Sequence, residues 1–166
     1  WPDTQSFPLR PSVCSLGVFD GVHVGHQEVL RTLRQKADDW GLPAVVVTFD
    51  LHPSVHTAGN PPPLLTTLQD KLSLIEAQGL DGCLVIHFTR GVASTPARTF
   101  VEEVLCDLLA ARAVIVGFNT RFGRGREGTP ELLQQWGNEI GFETVICQPV
   151  KVGDDVVSST RIRKVL

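Results

Sequence analysis

Apolar and polar positions along the chain change their period in a regular way. Val13 to Phe19 is a short, mostly apolar run that predicts a buried strand ending at Asp20-Gly21. Val29, Leu30, Leu33, Ala37 and Trp40 then recur at helical spacing, and Gly41 stands where that helix is expected to stop. Ala44 to Phe49 predicts a second buried strand, and the Pro-rich stretch from Pro53 to Pro63 predicts a long loop over a site. Thr67 with Asp70 resembles a capping box opening a helix through Leu72, Ile75 and Ala77 to Gly79, and Cys83 to Phe88 reads as the third strand. Thr95-Pro96 predicts a hydroxyl-capped helix carrying Phe100, Val101, Val104, Leu105 and Leu108 on one stripe. Ala113 to Val116 is a fourth strand, Thr129-Pro130 opens a helix through Leu133, Trp136 and Ile140, and Thr144 to Val150 is a fifth.

Strands that are almost wholly apolar and alternate with helices predict a parallel sheet covered on both faces, reached by right-handed crossovers. The fold class expected is a doubly wound α/β domain with a five-stranded parallel sheet, spanning residues 13–166 after a short N-terminal extension, 1–12. Such sheets bind ligands at the carboxyl ends of their strands, so the loops after Phe19, Phe49, Phe88, Val116 and Val150 are where chemistry is expected.

Composition narrows the function. Over 166 residues, 42% hydrophobic and 20% charged side chains are ordinary for one folded domain, and disorder is not suggested. A net charge of −3 and a pI near 5.9 argue against a long nucleic-acid partner, which needs a broad basic face. No apolar run approaches the ~20 residues of a membrane span, and the segment from Trp1 to Pro11 lacks signal-peptide regions, so a cytoplasmic protein is expected. Cys14, Cys83, Cys106 and Cys147 stand singly, without metal spacing, and read as reduced core thiols.

The first strand runs into Gly17-Val18-Phe19-Asp20-Gly21-Val22-His23-Val24-Gly25-His26, which sets two imidazoles three residues apart at a helix start. Helix N-termini attract anions, glycine allows close backbone approach, and imidazole N–H groups donate to phosphate oxygens. Ser158-Ser159-Thr160-Arg161-Ile162-Arg163 reads as hydroxyl caps opening a short helix with two guanidinium groups, a second anion clamp. Gly123-Arg124-Gly125-Arg126-Glu127-Gly128 has the form G-x-G-x-x-G, but it begins too late after its strand, and the next strand ends in Gln148-Pro149 rather than an acidic residue. It therefore reads as a turn, with Arg121, Arg124 and Arg126 near a nucleotide or simply solvated.

His23-Val24-Gly25-His26 and Ser159-Thr160-Arg161-Ile162-Arg163 together resemble the H-x-G-H nucleotidyltransferase superfamily. Gly21 after Asp20 narrows the resemblance to the bacterial FAD synthetases, the FMN adenylyltransferase modules of bifunctional riboflavin kinase/FAD synthetases. Thr48-Phe49-Asp50-Leu51-His52-Pro53, Leu65-Thr66, Lys71, Val116-Gly117 and Arg121-Phe122-Gly123 extend it over almost the whole chain. The departures are Leu51 where Pro is usual, and Thr57 and Thr120 where aromatics are common. The resemblance implies transfer of AMP from ATP to FMN, giving FAD and pyrophosphate, with Mg2+ accompanying ATP. It implies catalytic roles for His23, His26 and Arg161. ATP contacts are implied at Gly17, Phe19, Asp20, Gly25, Ser158, Ser159, Thr160 and Arg163, and flavin or acceptor contacts at His52, Pro53, Asn119, Arg121, Phe122 and Gly123. No metal ligand is assigned. Another phosphorylated acceptor, or a non-catalytic flavin- or nucleotide-binding module, remains an alternative on the residues alone. In bacterial relatives a flavokinase module commonly follows the S-S-T-R-I-R segment; here Lys164-Val165-Leu166 follows, so the chain is expected to be either a single-activity enzyme or a fragment of a longer protein whose C-terminal flavokinase module is missing, and no flavokinase activity is expected of the chain itself.

Overall fold

The computed structural model describes residues 11–56 and 60–166. Five parallel strands, β1 (Ser12–Leu16), β2 (Ala44–Phe49), β3 (Gly82–Ile86), β4 (Ala111–Gly117) and β5 (Glu143–Cys147), lie in the order β3-β2-β1-β4-β5. The helices are α1 (Val24–Trp40), α2 (Leu68–Glu76), α3 (Arg90–Ala93), α4 (Ala97–Phe100), α5 (Pro130–Ile140) and α6 (Ser159–Val165), with a π-helical segment, Val101–Leu108, continuing α4. The expected doubly wound α/β architecture is present. Strand order reverses between β1 and β4, the place where such sheets open a ligand crevice.

The central strands are mostly apolar because both faces are covered, whereas the edge strand β5 has no fully buried residue. In β2, Val45 and Val47 pack with Phe100, Val104, Leu105 and Leu133, while Val46 on the opposite face packs with Leu30, Leu33, Ala37 and Ile75. Gly41 ends α1 at φ 64, as its position predicts, and the Thr129 hydroxyl caps α5 by accepting from Leu132 N. Thr67 likewise caps α2.

Several boundaries differ, each for a local reason. β1 includes Ser12 and stops at Leu16, because Phe19 turns to φ 55 and folds its ring back over Gly17, where a Cβ would stand 2.9 Å from the ring. β3 ends before His87 because the Asp50 carboxylate takes the Phe88 amide at 2.9 Å in place of a ladder partner. Thr95 does not cap the next helix: its hydroxyl donates back to Gly91 O, and Glu127 accepts from Ala97 N at 2.9 Å instead. β5 is shorter than expected, and a small hairpin, β6 (Lys151–Val152) with β7 (Asp155–Val156), turns at Gly153 before α6. Pro53–His56 forms one 3-10 turn; Thr57 lies outside the described residues, as does most of the N-terminal extension.

The G-x-G-x-x-G stretch is a docked turn. Phe122 and Gly128 bridge through paired backbone hydrogen bonds of 3.2 and 2.8 Å, and Arg124 N donates to Thr95 O at 2.8 Å. Gly123 has φ 76, and a Cβ there would stand 2.5 Å from Ala97 Cα. Gly123→Ala therefore combines backbone strain with a backbone clash and is expected to lower stability by about 1–3 kcal/mol. Urea denaturation measures this; an unchanged midpoint would show that the turn does not rest on Ala97.

Candidate active site

The exit of β1 is a strained turn. Phe19, Gly21 and Val22 have φ of 55, 84 and 39, and Val22 N closes the turn on Phe19 O at 3.1 Å. A β-branched residue in the left-handed region persists only where its surroundings enforce it. The Asp20 carboxylate, 4% exposed, accepts from Leu65 N at 2.9 Å and Thr66 N at 3.2 Å and forms an ion pair with Arg163. Gly21 N donates to Thr66 Oγ1, Ser159 Oγ donates to Asp20 O at 2.9 Å, and Arg163 Nε donates to Pro63 O at 2.8 Å. The β1 exit, the 63–66 segment and α6 thus meet at one buried carboxylate.

This turn delivers His23 as the N-cap of α1. Its Nδ1 accepts from Gly25 N at 3.1 Å and His26 N at 3.3 Å, so Nδ1 carries no proton and the neutral ring holds its proton on Nε2. A Cβ on Gly25 would lie 3.0 Å from the His23 ring, which explains the glycine inside H-x-G-H. His26 stacks on His23 with centroids 3.6 Å apart, Phe19 meets it edge-on, and its Nδ1 is shut off from solvent without a partner. Burial pushes both imidazoles down, His26 to about 3, where His23 and Lys71 add to the effect. Two amides of the α1 terminus are therefore taken by His23 rather than left for a ligand. The pair offers neutral N–H donors, not cations, near neutral pH.

The C-terminal segment divides its labour. Ser158 caps α6 by accepting from Arg161 N, and the carbonyl of Val157 lies 3.8 Å from a Cβ built on Gly25, which puts the α6 entry beside the His pair. Thr160 and Arg161 are exposed, and Arg161 is paired with Asp155 of β7. Ser159 and Arg163, expected among the triphosphate contacts, are engaged with Asp20.

At the β2 exit, burial alone would raise the Asp50 carboxyl, but hydrogen bonds from His87 and Phe88 N outweigh it and hold the group low. His52 Nδ1 accepts from Ser54 N at 3.2 Å and meets Ser54 Oγ at 2.6 Å. Its pKa is pushed down by burial first, then by Arg163, with Arg126 and Lys71 contributing. His56 Nε2 lies 2.8 Å from Phe88 O, which ties the 3-10 turn beginning at Pro53 to the β3 exit. A small cleft between the β1 and β2 exits is lined by Val18, Asp20, Asp50, His52, Thr66 and Lys71.

Beyond β4, Asn119 and Arg121 are exposed, and Arg121 donates to Thr120 O. Phe122, expected near flavin, is 5% exposed and packs among Phe100 and Trp136. Lys71 is the residue that sequence reasoning undervalued: it entered only among the residues that extend the resemblance, although a charge four positions before Ile75 on the core face of α2 was a second signal. Among the described residues no group of three or more His, Cys, Asp or Glu is placed to hold a metal, and the Asp20 and Asp50 carboxylates are already met by donors. All four cysteines are free, and burial pushes Cys14 up to about 12.

A parallel sheet with its order reversing at β1, and a capped His pair at that reversal, defines a doubly wound α/β domain of the nucleotidyltransferase type. The family described as FAD synthetase matches residues 7–161, and the chain belongs to that family. It is 35% identical over 160 residues to the bifunctional riboflavin kinase/FMN adenylyltransferase of Escherichia coli K12, covering 96% of this chain and 51% of that protein. It is 39% identical to a protein of Geobacillus thermodenitrificans provisionally given the same name, covering 98% of this chain and 86% of the relative. The chain thus spans about half the length of the E. coli relative and most of the Geobacillus one. Among solved structures, a Streptococcus pneumoniae chain described as a macrolide-efflux protein superposes with a TM-score of 0.83 at 28% identity, over 97% of this chain and 53% of that one. A Thermus thermophilus pantothenate synthetase shares the fold, with a TM-score of 0.63 at 16% identity over 96% and 63%. No helix among the described residues is long and apolar enough to cross a membrane.

The His26 shift fixes a pH dependence. The unfolded chain takes up a proton near the ordinary imidazole value of 6.5, whereas folded His26 resists protonation until about 3, so stability falls as pH drops through this window. His26→Gln should flatten the urea midpoint between pH 6.5 and the acid limit. Parallel curves for parent and variant would contradict the buried neutral imidazole.

Proposed function

We propose that this domain transfers AMP from ATP to FMN, with FAD and pyrophosphate as products and Mg2+ entering bound to ATP as part of the substrate. The observation that carries the reading is the stacked, neutral His23/His26 pair capping α1 at the sheet's reversal, in a member of the FAD synthetase family. An FMN phosphate oxygen attacks the α-phosphorus of ATP in line, the bond to the bridging oxygen breaks, and pyrophosphate carries away the electron pair. No protein nucleophile is required, so positioning and charge stabilisation do the work. His23 and His26 donate N–H bonds to oxygens whose charge grows as the bond breaks. Arg161 exchanges Asp155 for the nucleotide's outer phosphates, with Ser158 and Thr160 beside it. Gly17, Phe19 and Gly25 shape the nucleotide side, while Asp20, Ser159 and Arg163 hold that side together from beneath.

On the acceptor side, His52 and Pro53 at the β2 exit and Asn119 and Arg121 beyond β4 face the flavin nucleotide, with Phe122 and Gly123 setting the second loop in place. Four free cysteines suit a reducing compartment, and the cytoplasm is the one we assign. Riboflavin phosphorylation is not assigned to these residues, which are occupied by one sheet and its crossovers. Where a relative's name includes riboflavin kinase, that activity is ascribed to the relative.

Purified chain with ATP, Mg2+ and FMN should yield FAD and pyrophosphate in equal amounts, and His23→Ala should lower kcat by roughly 10²–10³ with a smaller change in ATP affinity. Pyrophosphate release with nicotinate mononucleotide or phosphopantetheine, but not with FMN, would reassign the acceptor. Nucleotide binding without any pyrophosphate release would make the domain a binding module.

A further inference from the structure

Lys71 and Ile75 are the two buried residues of α2, one turn apart. Ile75 joins the core cluster of α1 and β2. Lys71 carries its ammonium to the C-terminal edge of the sheet, where Nζ donates to Val18 O at 3.0 Å, Thr48 Oγ1 at 3.2 Å and Phe49 O at 2.6 Å. Three acceptors match the three N–H donors of a protonated lysine. Thr48 completes the arrangement by donating its own hydroxyl proton to Val18 O at 3.0 Å. Among the described residues no carboxylate lies within ion-pair distance of Lys71; burial pushes its pKa down, with Asp20 and Asp50 across the cleft partly opposing that, and a buried cation hydrogen-bonded only to neutral groups is expensive to keep where an apolar side chain would extend the stripe.

The three acceptors belong to two strand exits. Val18 immediately precedes the turn that delivers His23 and His26, and Phe49 immediately precedes Asp50 and the His52 loop. Lys71 also lines the cleft between them. We propose that Lys71 is a positioning residue of the transfer site: its ammonium, bonded to three neutral acceptors on the two strand exits, fixes the spacing of the β1 and β2 exits beneath the cleft that Asp20 and Asp50 also line. The reaction named here rests on the adenylyl-transfer reading; the charge and the spacing do not. After burial and the stacked His23, the Lys71 charge helps push His26 down, so its field reaches the His pair.

Lys71→Met keeps the length of the side chain while removing the charge and the donors. In the full chain, kcat for FAD formation should fall about 10²-fold with the KM for ATP changed less than about threefold, the signature of lost positioning rather than lost nucleotide binding. In the ligand-free protein, NMR titration of His26 should move to higher pH. Thr48→Val, which keeps the ammonium but removes one acceptor, should lower kcat less and leave the His26 titration in place. A folded Lys71→Met variant whose kcat stays within about threefold of the parent, or whose His26 titrates unchanged, overturns the proposal. If Lys71→Met does not fold, an unaltered kcat in Thr48→Val overturns it. If the parent makes no FAD, the adenylyl-transfer reading fails, while the NMR titration still decides whether the Lys71 charge governs the cleft.

Discussion

The Asp20 carboxylate is the constraint on which the site depends. A buried ionised group has to be met by donors, and Asp20 meets two backbone amides of the 63–66 segment and the Arg163 guanidinium. Those contacts join parts of the chain up to 143 positions apart. They also hold the adjoining turn, in which Phe19 and Val22 occupy left-handed conformations that cost about 1–3 kcal/mol each. Release of that turn would carry His23 off the amides of Gly25 and His26 and undo the stacked pair.

A second theme is the separation of charge from the reacting face. The cations nearest the cleft, buried Lys71 and half-buried Arg163, are already bonded, whereas the imidazoles are neutral. Neutral donors stabilise charge that develops during transfer without holding the ground state as tightly as an imidazolium would. In the proposed reaction Arg161, exposed on α6 and paired with Asp155, is the cation that would change partners when a polyphosphate arrives.

The sheet was legible because each strand is apolar on both faces, and Thr129-Pro130 and Gly41 marked helix ends whose capping geometry is local. The two motif segments were legible as segments: H-x-G-H and S-S-T-R-I-R meet beside the β1 exit. Individual roles were less so, because they depend on partners distant in sequence. Arg163 reads as a free guanidinium until Asp20 is placed against it, Phe122 reads as a ligand contact until Trp136 covers it, and Thr95 reads as a cap until Glu127 displaces it. The β6–β7 hairpin escaped because two-residue strands carry no periodicity.

A double-mutant cycle on Asp20→Asn and Arg163→Met, read by urea stability and by FAD turnover, tests the dependence of the site on this buried pair most directly. Each single variant should lose both stability and turnover, and the pair should couple by about 2 kcal/mol or more, because either change alone strands a buried partner. Additive losses, or full turnover in folded Asp20→Asn, would show that the His pair is held by something other than the Asp20 carboxylate.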